Sequence, residues 1–321
     1  MRSARLVEPG RFELEAQAAP RPGAGQVVVA VEGCGVCASN LGPWAGIPGI
    51  GYPLEPGAPG HEVYGRVAEV GAGVTHVQAG DAVTALSYNG FAEYDVAAAE
   101  NVVALPEELA GHPVPGEPVA CAVNVARRAG VRVGDTVVVL GAGFLGAILT
   151  RLVRRAGAAH VVAVSRREDA LELAGRMGAD VRLTYDDDVA GRVLALTGGA
   201  GADVVLECTG KQRPLDLGAE LLRVRGRLVV AGYHQDGPRT VNMQLWNWRG
   251  LDVINAHERD PRIYTAGMEE AVRLLAEGVL DLAPLLTHFF PLEEINQAFA
   301  TAAARPGGFL KAVVTPAGVV A

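Results

Sequence analysis

The sequence predicts an α/β protein of two domains, one rich in β-strands and the other a doubly wound parallel sheet. Its 321 residues exceed the usual size of one domain, about 100 to 200 residues. From residue 26 to about 105, short β-type runs are broken by Gly and Pro, which is typical of a strongly bent β domain. From about residue 120, strand and helix patterns alternate, and repeated β-α units of this kind build a parallel sheet.

The individual elements follow from the spacing of apolar residues. In the first part, the predicted strands are QVVVAVEGCG, EVYGRVAEVGAGV, DAVTALS and FAEYDVAA. In the second part, the strands TVVVL, HVVAVS, DVRLTY, DVVLECTG and RLVVAG alternate with helices at about 145–153, 171–177, 189–196 and 215–222. Helices at about 268–275 and 292–301 and a terminal strand, LKAVVT, complete the chain and could return to the first domain.

Composition excludes several classes of function. The net charge of -8 and the absence of a clustered basic face argue against a nucleic-acid partner. The longest nearly uncharged apolar run, 136–149, is too short to span a bilayer, so no membrane association is expected. Four cysteines make no disulfide framework in a chain of this size, and the first residues do not resemble a signal peptide. We therefore expect a cytoplasmic protein.

A glycine motif predicts a dinucleotide site. Gly141, Gly143 and Gly146 stand in G-x-G-x-x-G register, with Phe144 and Leu145 between them at the start of a helix. The motif directly follows a buried strand and opens an amphipathic helix, so backbone N–H groups and the helix N-terminus can receive a pyrophosphate. The alternative is a glycine-rich turn of purely structural use.

The end of the next strand favours NADP over NAD. An NAD site generally has Asp or Glu about 20 residues after the glycines, accepting hydrogen bonds from ribose hydroxyls. This chain has Ser165 there, followed by Arg166 and Arg167. A carboxylate would repel a 2'-phosphate, whereas a hydroxyl and a guanidinium can bind one. Alternatively, the arginines only cap an exposed helix start.

The C-x-x-C pair of Cys34 and Cys37 fits neither simple interpretation. A closed structural zinc site needs four Cys or His ligands in two close pairs, and the chain has no second C-x-x-C or H-x-x-H. A thioredoxin-like redox pair lies between a strand and a helix of a small βαβ fold, which this region is not. His61 follows Cys37 across a Gly/Pro-rich loop, and a thiolate with an imidazole suits zinc.

Taken together, these motifs resemble the zinc-dependent medium-chain dehydrogenase/reductase family, which contains alcohol, sorbitol and threonine dehydrogenases. The matching segments are the Cys37 region, Gly60-His61-Glu62, GRVAEVGAGV with Gly80-Asp81, GAGFLG and LLTHFFPLEEINQAF, and they cover essentially the whole chain. The resemblance implies a GroES-like β-rich catalytic domain plus a Rossmann doubly wound parallel-sheet domain. We place the GroES-like domain at 1–122 and 254–321 and the Rossmann domain at 123–253.

The resemblance also implies a set of metal ligands. Cys37 and His61 correspond to zinc ligands, and Glu62 to a nearby or exchanging ligand, while Cys34 would bind nothing. The third protein ligand stays open between Glu117, which matches the acid of polyol-type members, and Cys121, which matches the thiolate of the alcohol-dehydrogenase type. We favour Cys121 because a thiolate binds zinc better than a carboxylate.

Further positions carry roles by the same resemblance. Ser39 matches the hydroxyl that passes the substrate proton outward. Lys311 matches a basic position that contacts the pyrophosphate. Asn40 stands where relatives usually have Asp; an amide can still accept a hydrogen bond from the ligand imidazole, but it adds no charge. The four-cysteine structural zinc loop is absent, since DAVTALSYN runs directly into GFAEYDV, so we expect a single, catalytic zinc site.

The expected activity is hydride transfer between NADP(H) and a secondary alcohol, polyol or sugar-like substrate. Two alternatives remain: a zinc-free, quinone-oxidoreductase-like NADPH reductase of activated double bonds, and a non-catalytic nucleotide-binding protein, to which Asn40 points. The resemblance implies a homodimer or homotetramer. Candidate substrate-lining residues are Trp44, Tyr52, Tyr88, Phe91, His234, His257 and Arg259.

Overall fold

The computed structural model describes residues 1–185 and 187–316, which divide into two compact units. Unit 1 contains residues 1–120 and 259–321, of which those to 316 are described, and unit 2 contains residues 121–258. The chain therefore leaves the first unit once and returns to it, as the pattern of its C-terminal elements allows.

The strands and helices follow one another in this order along the described chain. The strands are β1 (Arg2–Glu8), β2 (Arg11–Ala16), β3 (Gln26–Gly35), β4 (Glu62–Val70), β5 (Ala82–Ala85), β6 (Tyr94–Ala98), β7 (Val102–Ala104), β8 (Thr136–Leu140), β9 (His160–Val164), β10 (Val181–Leu183), β11 (Ala202–Glu207), β12 (Leu222–Val230), β13 (Asp252–Asn255), β14 (His288–Pro291) and β15 (Ala312–Thr315). The helices are α1 (Leu41–Ala45), α2 (Gly116–Ala129), α3 (Phe144–Arg155), α4 (Glu168–Arg176), α5 (Val189–Leu196), α6 (Gln212–Leu221), α7 (Met243–Arg249), α8 (Pro261–Ala276) and α9 (Ile295–Ala304).

Unit 1 is built on a mostly antiparallel sheet. Its strands are ordered β14-β15-β3-β4-β5-β7, and β6 pairs with β3. The C-terminal strand β15 pairs antiparallel with β3, so residues from both ends of the chain share one sheet. Edge-to-face and tilted contacts join Phe12, Phe91 and Phe299 in the core, where aromatic rings pack favourably in such orientations.

Unit 2 is a parallel sheet with the strand order β10-β9-β8-β11-β12-β13. Every residue of β8 is buried, as expected for a central strand covered on both faces. The strand order reverses at β8, and ligands of such sheets bind outside the carboxyl ends of the strands at that point. The glycine motif lies at this end of β8. The predicted α/β fold class, with its two kinds of domain, is confirmed.

Two differences from the predicted elements have simple causes. The hairpin of β1 and β2 was not predicted, because RSARLVE has no strict apolar period and the alternation in RFELEA spans only 6 residues. Helix α8 begins well before the predicted Met268, because Asp260 caps it through a hydrogen bond to the N–H of Arg262 and Pro261 occupies its first turn. No helix within residues 1–185 and 187–316 is both long and apolar enough to cross a membrane.

Candidate functional site

Three side chains with metal-binding atoms meet in unit 1. Cys37 follows β3 and precedes a 3₁₀ turn at Ala38–Asn40, and His61 and Glu62 stand at the start of β4. Because β3 and β4 pair antiparallel with Gly35 opposite Glu62, residues just outside this pair come together. The thiol, imidazole and carboxylate donor atoms all lie within 4.8 Å of one another. The mixture of sulfur, nitrogen and oxygen is one that zinc accepts, so the cluster fits a zinc ion.

Asn40 and the Pro59 carbonyl set the orientation of His61. The Oδ1 of Asn40 accepts the N–H of Cys37 at 2.8 Å, and its Nδ2 donates to the Pro59 oxygen at 2.9 Å. The Nδ1 of His61 lies 3.0 Å from that same oxygen and 3.3 Å from the Asn40 Nδ2. A proton on Nδ1 is therefore donated to a backbone carbonyl, which leaves Nε2 for a metal.

The expectation that Asn40 accepts a hydrogen bond from the imidazole is thus corrected. Its one amide oxygen is already used by the Cys37 N–H, and its nitrogen side faces the ring. Asn40 instead ties the Cys37 turn to the Pro59 loop. It orients the two predicted ligands together without placing a negative charge behind His61.

The acidic surroundings of His61 hold a proton on it. Burial, the largest influence, lowers the pKa of His61, but the hydrogen bond and charge of Cys37, with the charges of Glu117 and Glu62, raise it to about 10. Because this pKa lies above neutrality, His61 keeps its proton in the metal-free protein. A divalent cation would replace this proton, as metal binding to such ligands generally does.

Glu62 is held by Lys311, which comes from the opposite end of the chain. The Lys311 Nζ lies 2.7 Å from both carboxylate oxygens, and both residues are buried. Burial, the largest influence, lowers the pKa of Lys311, but the charges of Glu62, Cys37 and Glu117 and the hydrogen bonds to Glu62 raise it overall. The structure therefore gives Lys311 a different partner from the predicted pyrophosphate. A side chain on Gly35 would not fit, since its Cβ would lie 1.9 Å from the Glu62 Oε2.

The remaining predicted metal and proton-transfer residues have these positions. Glu117 is buried in the first turn of α2, and its charge acts on both His61 and Lys311. Cys121 is half-buried one turn later on the same helix. Ser39 is half-buried in the 3₁₀ turn that begins after Cys37. Cys34 is fully buried in β3.

The glycine motif in unit 2 has the geometry of a phosphate-binding loop. Gly141 has φ +100°, a conformation that favours glycine. A Cβ on Gly146 would lie 1.9 Å from the Gly141 oxygen, so α3 packs against the loop only without a side chain there. Gly143, the N-cap of α3, has open space where a Cβ would stand. This open side and the helix N-terminus fit a pyrophosphate, with Phe144 and Leu145 supplying the first N–H groups of the helix.

The three residues after β9 differ in their surroundings. Ser165 is buried, and its Oγ accepts the N–H of Arg167 at 3.3 Å. Arg167 is the N-cap of α4 and lies 3.7 Å from the Asp169 carboxylate. Arg166 is exposed. The side chain free to meet a ligand is therefore that of Arg166.

The candidate substrate residues separate by burial. Phe91 is 0% exposed and packs on Phe12 and Phe299, so its prediction as a lining residue is wrong. Trp44 packs against the same core, with its Nε1 buried and without a hydrogen-bond partner among the described residues. Tyr88 is 66% exposed. In unit 2, His257 stacks on Tyr233 with ring centroids 5.3 Å apart.

His234 belongs to a polar network of unit 2 that the sequence did not reveal. Its Nε2 lies 3.0 Å from the Oε2 of the fully buried Glu207, and its Nδ1 accepts a hydrogen bond from Arg239 at 2.9 Å. Glu207 also accepts the N–H groups of Thr209 and Gly210. The network fixes the segment after β11, and it provides a partner within the chain for each ring nitrogen of His234. The only signal in the sequence was an acid directly at the end of a buried strand.

Known families match both regions of the chain. The profile of the alcohol dehydrogenase GroES-like domain matches residues 23–107, and that of the zinc-binding dehydrogenases matches residues 145–277. The chain is 28% identical to a sorbitol dehydrogenase of Halalkalibacterium halodurans, over 96% of each chain. It is also 28% identical to an erythritol/L-threitol dehydrogenase of Mycolicibacterium smegmatis, over 90% of each.

Solved structures share the fold over nearly the entire length. An Escherichia coli oxidoreductase of unknown specificity superposes with a TM-score of 0.89 at 22% identity, covering 98% of each chain. The 2R,3R-butanediol dehydrogenase of Bacillus subtilis superposes with a TM-score of 0.84 at 24% identity, covering 98% of this chain and 99% of that one. At these sequence identities, the superpositions show only that the fold is shared.

Proposed function

The chain belongs to the zinc-dependent medium-chain dehydrogenase/reductase family, and from that premise we propose that it oxidises a polyol or another secondary alcohol with NADP, using one zinc ion. The observation that carries the proposal is the cluster of Cys37, His61 and Glu62, whose donor atoms lie within 4.8 Å of one another. The Pro59 oxygen, 3.0 Å from the His61 Nδ1, also orients the imidazole so that its Nε2 is left for the metal.

The proposed metal ligands are Cys37 and His61, with Glu117 or Cys121 as the further protein ligand. Glu117 is supported by its burial and by the action of its charge on His61. Glu62 would stay paired with Lys311 and act as a nearby or exchanging ligand. Bound there, zinc would supply a Lewis acid for a substrate oxygen, and the dinucleotide would accept a hydride.

The chain's own residues would orient the metal ligands and carry the substrate proton. Oxidation of a secondary alcohol removes a hydride from carbon and a proton from the hydroxyl. Ser39 is half-buried two residues after Cys37, and its hydroxyl would pass this proton outward. Asn40 would hold Cys37 and His61 in fixed positions relative to each other during the reaction, because it contacts both.

The proposed cofactor is NADP, bound on the glycine loop of unit 2. Gly143 leaves room for the pyrophosphate, and the exposed Arg166 directly follows Ser165, which stands where an NAD site generally has an acid. The hydroxyl of Ser165 and the guanidinium of Arg166 suit a 2'-phosphate. Arg167 contributes the cap of α4 and stays close to Asp169.

The proposed substrate class follows the relatives, whose names include sorbitol and erythritol/L-threitol dehydrogenases. Tyr88, Trp44 and His257 remain the predicted substrate residues. The cytoplasmic location and the homodimeric or homotetrameric state also remain predictions.

A substrate screen tests the proposal. The purified protein is mixed with NADP or NAD and a panel of polyols and simple secondary alcohols, before and after treatment with a chelator, and cofactor reduction is followed by absorbance. We expect reduction of NADP with at least one polyol, loss of activity after chelation and recovery on adding zinc. Reduction of enones or quinones by NADPH that survives chelation would instead support the zinc-free reductase.

A further inference from the structure

Two exposed arginines and a tyrosine meet at the carboxyl edge of the unit 2 sheet. Strands β9 and β10 pair in parallel with Val164 opposite Leu183, and the Ser165 N–H donates to the Leu183 oxygen. Arg166 and Tyr185 each follow this last pair by two residues, in the segments that leave the two strands. This is the end of the sheet at which the dinucleotide is proposed to bind.

The second arginine comes from a different element. Arg213 lies in the first turn of α6, and its guanidinium stands over the Tyr185 ring, 5.8 Å from the centroid. Its Nη2 is also 3.4 Å from the Tyr185 backbone oxygen. The face of an aromatic ring attracts a cation, and no carboxylate among the described residues forms an ion pair with Arg213.

The electrostatics agree with this arrangement. Burial chiefly raises the pKa of Tyr185 to about 12, and the positive charges of Arg166 and Arg213 oppose that rise. Both guanidinium groups therefore act on the same phenol. Within residues 1–185 and 187–316, Arg167 has Asp169 beside it, whereas Arg166 and Arg213 have no ion pair.

We propose that Arg213 is a specificity-determining residue that, together with Arg166, receives the adenosine 2'-phosphate of NADP(H). Tyr185 serves as the platform that holds Arg213 in place from the end of β10. The two cations come from different β-α units, so their convergence follows from the fold rather than from sequence adjacency. The inference rests on the proposed use of NADP and assigns Arg213 a role that the S-R-R motif alone does not contain.

The test compares binding of NADP and NAD, which differ in the 2'-phosphate. Dissociation constants are measured by isothermal titration calorimetry with the full chain, its Arg213→Ala and Arg213→Gln variants, and Arg128→Ala as the control. Arg128 is an exposed residue near the end of α2, just before β8 begins, so the control removes the same charge at the opposite, amino edge of the sheet.

We expect both Arg213 variants to weaken NADP binding roughly tenfold or more, the loss typical of a hydrogen bond to a charged group. NAD affinity should change less than about twofold, which also shows that the variants are folded. Arg128→Ala should alter neither. An equal loss for both cofactors, or no loss for either, would overturn the role of Arg213. A wild-type protein that binds NAD as tightly as NADP would overturn the cofactor proposal itself.

Discussion

Glu62 and Lys311, which are 249 residues apart in sequence, form a buried ion pair in which one ammonium contacts both carboxylate oxygens at 2.7 Å. The pair joins β4 to the segment that enters the C-terminal strand β15, beside the predicted metal ligands. The C-terminal segment of unit 1 therefore contributes directly to the geometry of the candidate site.

Removal of Lys311 should be costly. Lys311→Met leaves the carboxylate of Glu62 buried without its cation, and breaking a buried pair in this way typically costs about 3–5 kcal/mol. Urea unfolding of the metal-free protein measures the effect. The double variant Glu62→Gln with Lys311→Met leaves no unpaired charge and should be more stable than Lys311→Met alone. Equal stabilities of the single and double variants would contradict the pairing.

Gly35→Ala should disturb Glu62 directly. The new Cβ would lie 1.9 Å from the Glu62 Oε2, so either the strand or the carboxylate must move. We expect a destabilisation of about 1–3 kcal/mol, as for other overpacked sites, together with weaker zinc binding. Gly51→Ala is the matched control, because its Cβ would meet open space. A Gly35→Ala protein as stable as this control would show that Glu62 is not seated over Gly35.

Two glycines of the nucleotide loop should respond differently to the same substitution. Gly146→Ala places a Cβ 1.9 Å from the Gly141 oxygen and should lower the free energy of unfolding. In Gly143→Ala the new Cβ would stand in open space, so stability should be unchanged. NADP binding should weaken roughly tenfold, because the Cβ would occupy the space through which the pyrophosphate approaches. Thermal unfolding and calorimetric titration separate the two effects. Unchanged NADP affinity in Gly143→Ala would place the pyrophosphate elsewhere.

The choice between Glu117 and Cys121 can be settled by metal retention. Glu117 is buried, and its charge acts on His61, so Glu117→Gln should lower zinc affinity by about 10- to 100-fold, while Cys121→Ala should keep most of it. Competition with a chromophoric chelator measures both affinities. If Cys121→Ala instead loses more zinc affinity than Glu117→Gln, the Cys121 thiolate is the ligand, in line with the preference of zinc for sulfur.

The fold could be predicted largely because local patterns determine it. Alternating apolar runs and the glycine motif identify the parallel sheet, and β8, α3 and α5 lie close to their predicted places. The meeting of Cys37 with His61 was predicted from the resemblance to the dehydrogenase family. The hairpin of β1 and β2 was missed because β1 has no strict apolar period and the alternation in β2 spans only 6 residues.

Long-range pairings could not be predicted from sequence. The contact of Lys311 with Glu62 depends on how β15 returns to β3, and no local signal encodes that register. The same holds for Arg213 over Tyr185, since each residue alone looks like ordinary surface. Phe91 was misassigned because an aromatic side chain beside a loop gives no indication whether it faces the core or a ligand.

The most direct test of the central claim is the zinc content of the purified chain, measured by plasma mass spectrometry on protein prepared without added metal or chelator. We expect about one zinc per chain, as for a single site with three protein ligands. Cys37→Ala should lose this zinc, whereas Cys34→Ala, at the other cysteine of the same motif, should retain it. Absence of zinc from a protein that still binds NADPH, or equal zinc in both variants, would show that Cys37 and His61 do not form a zinc site.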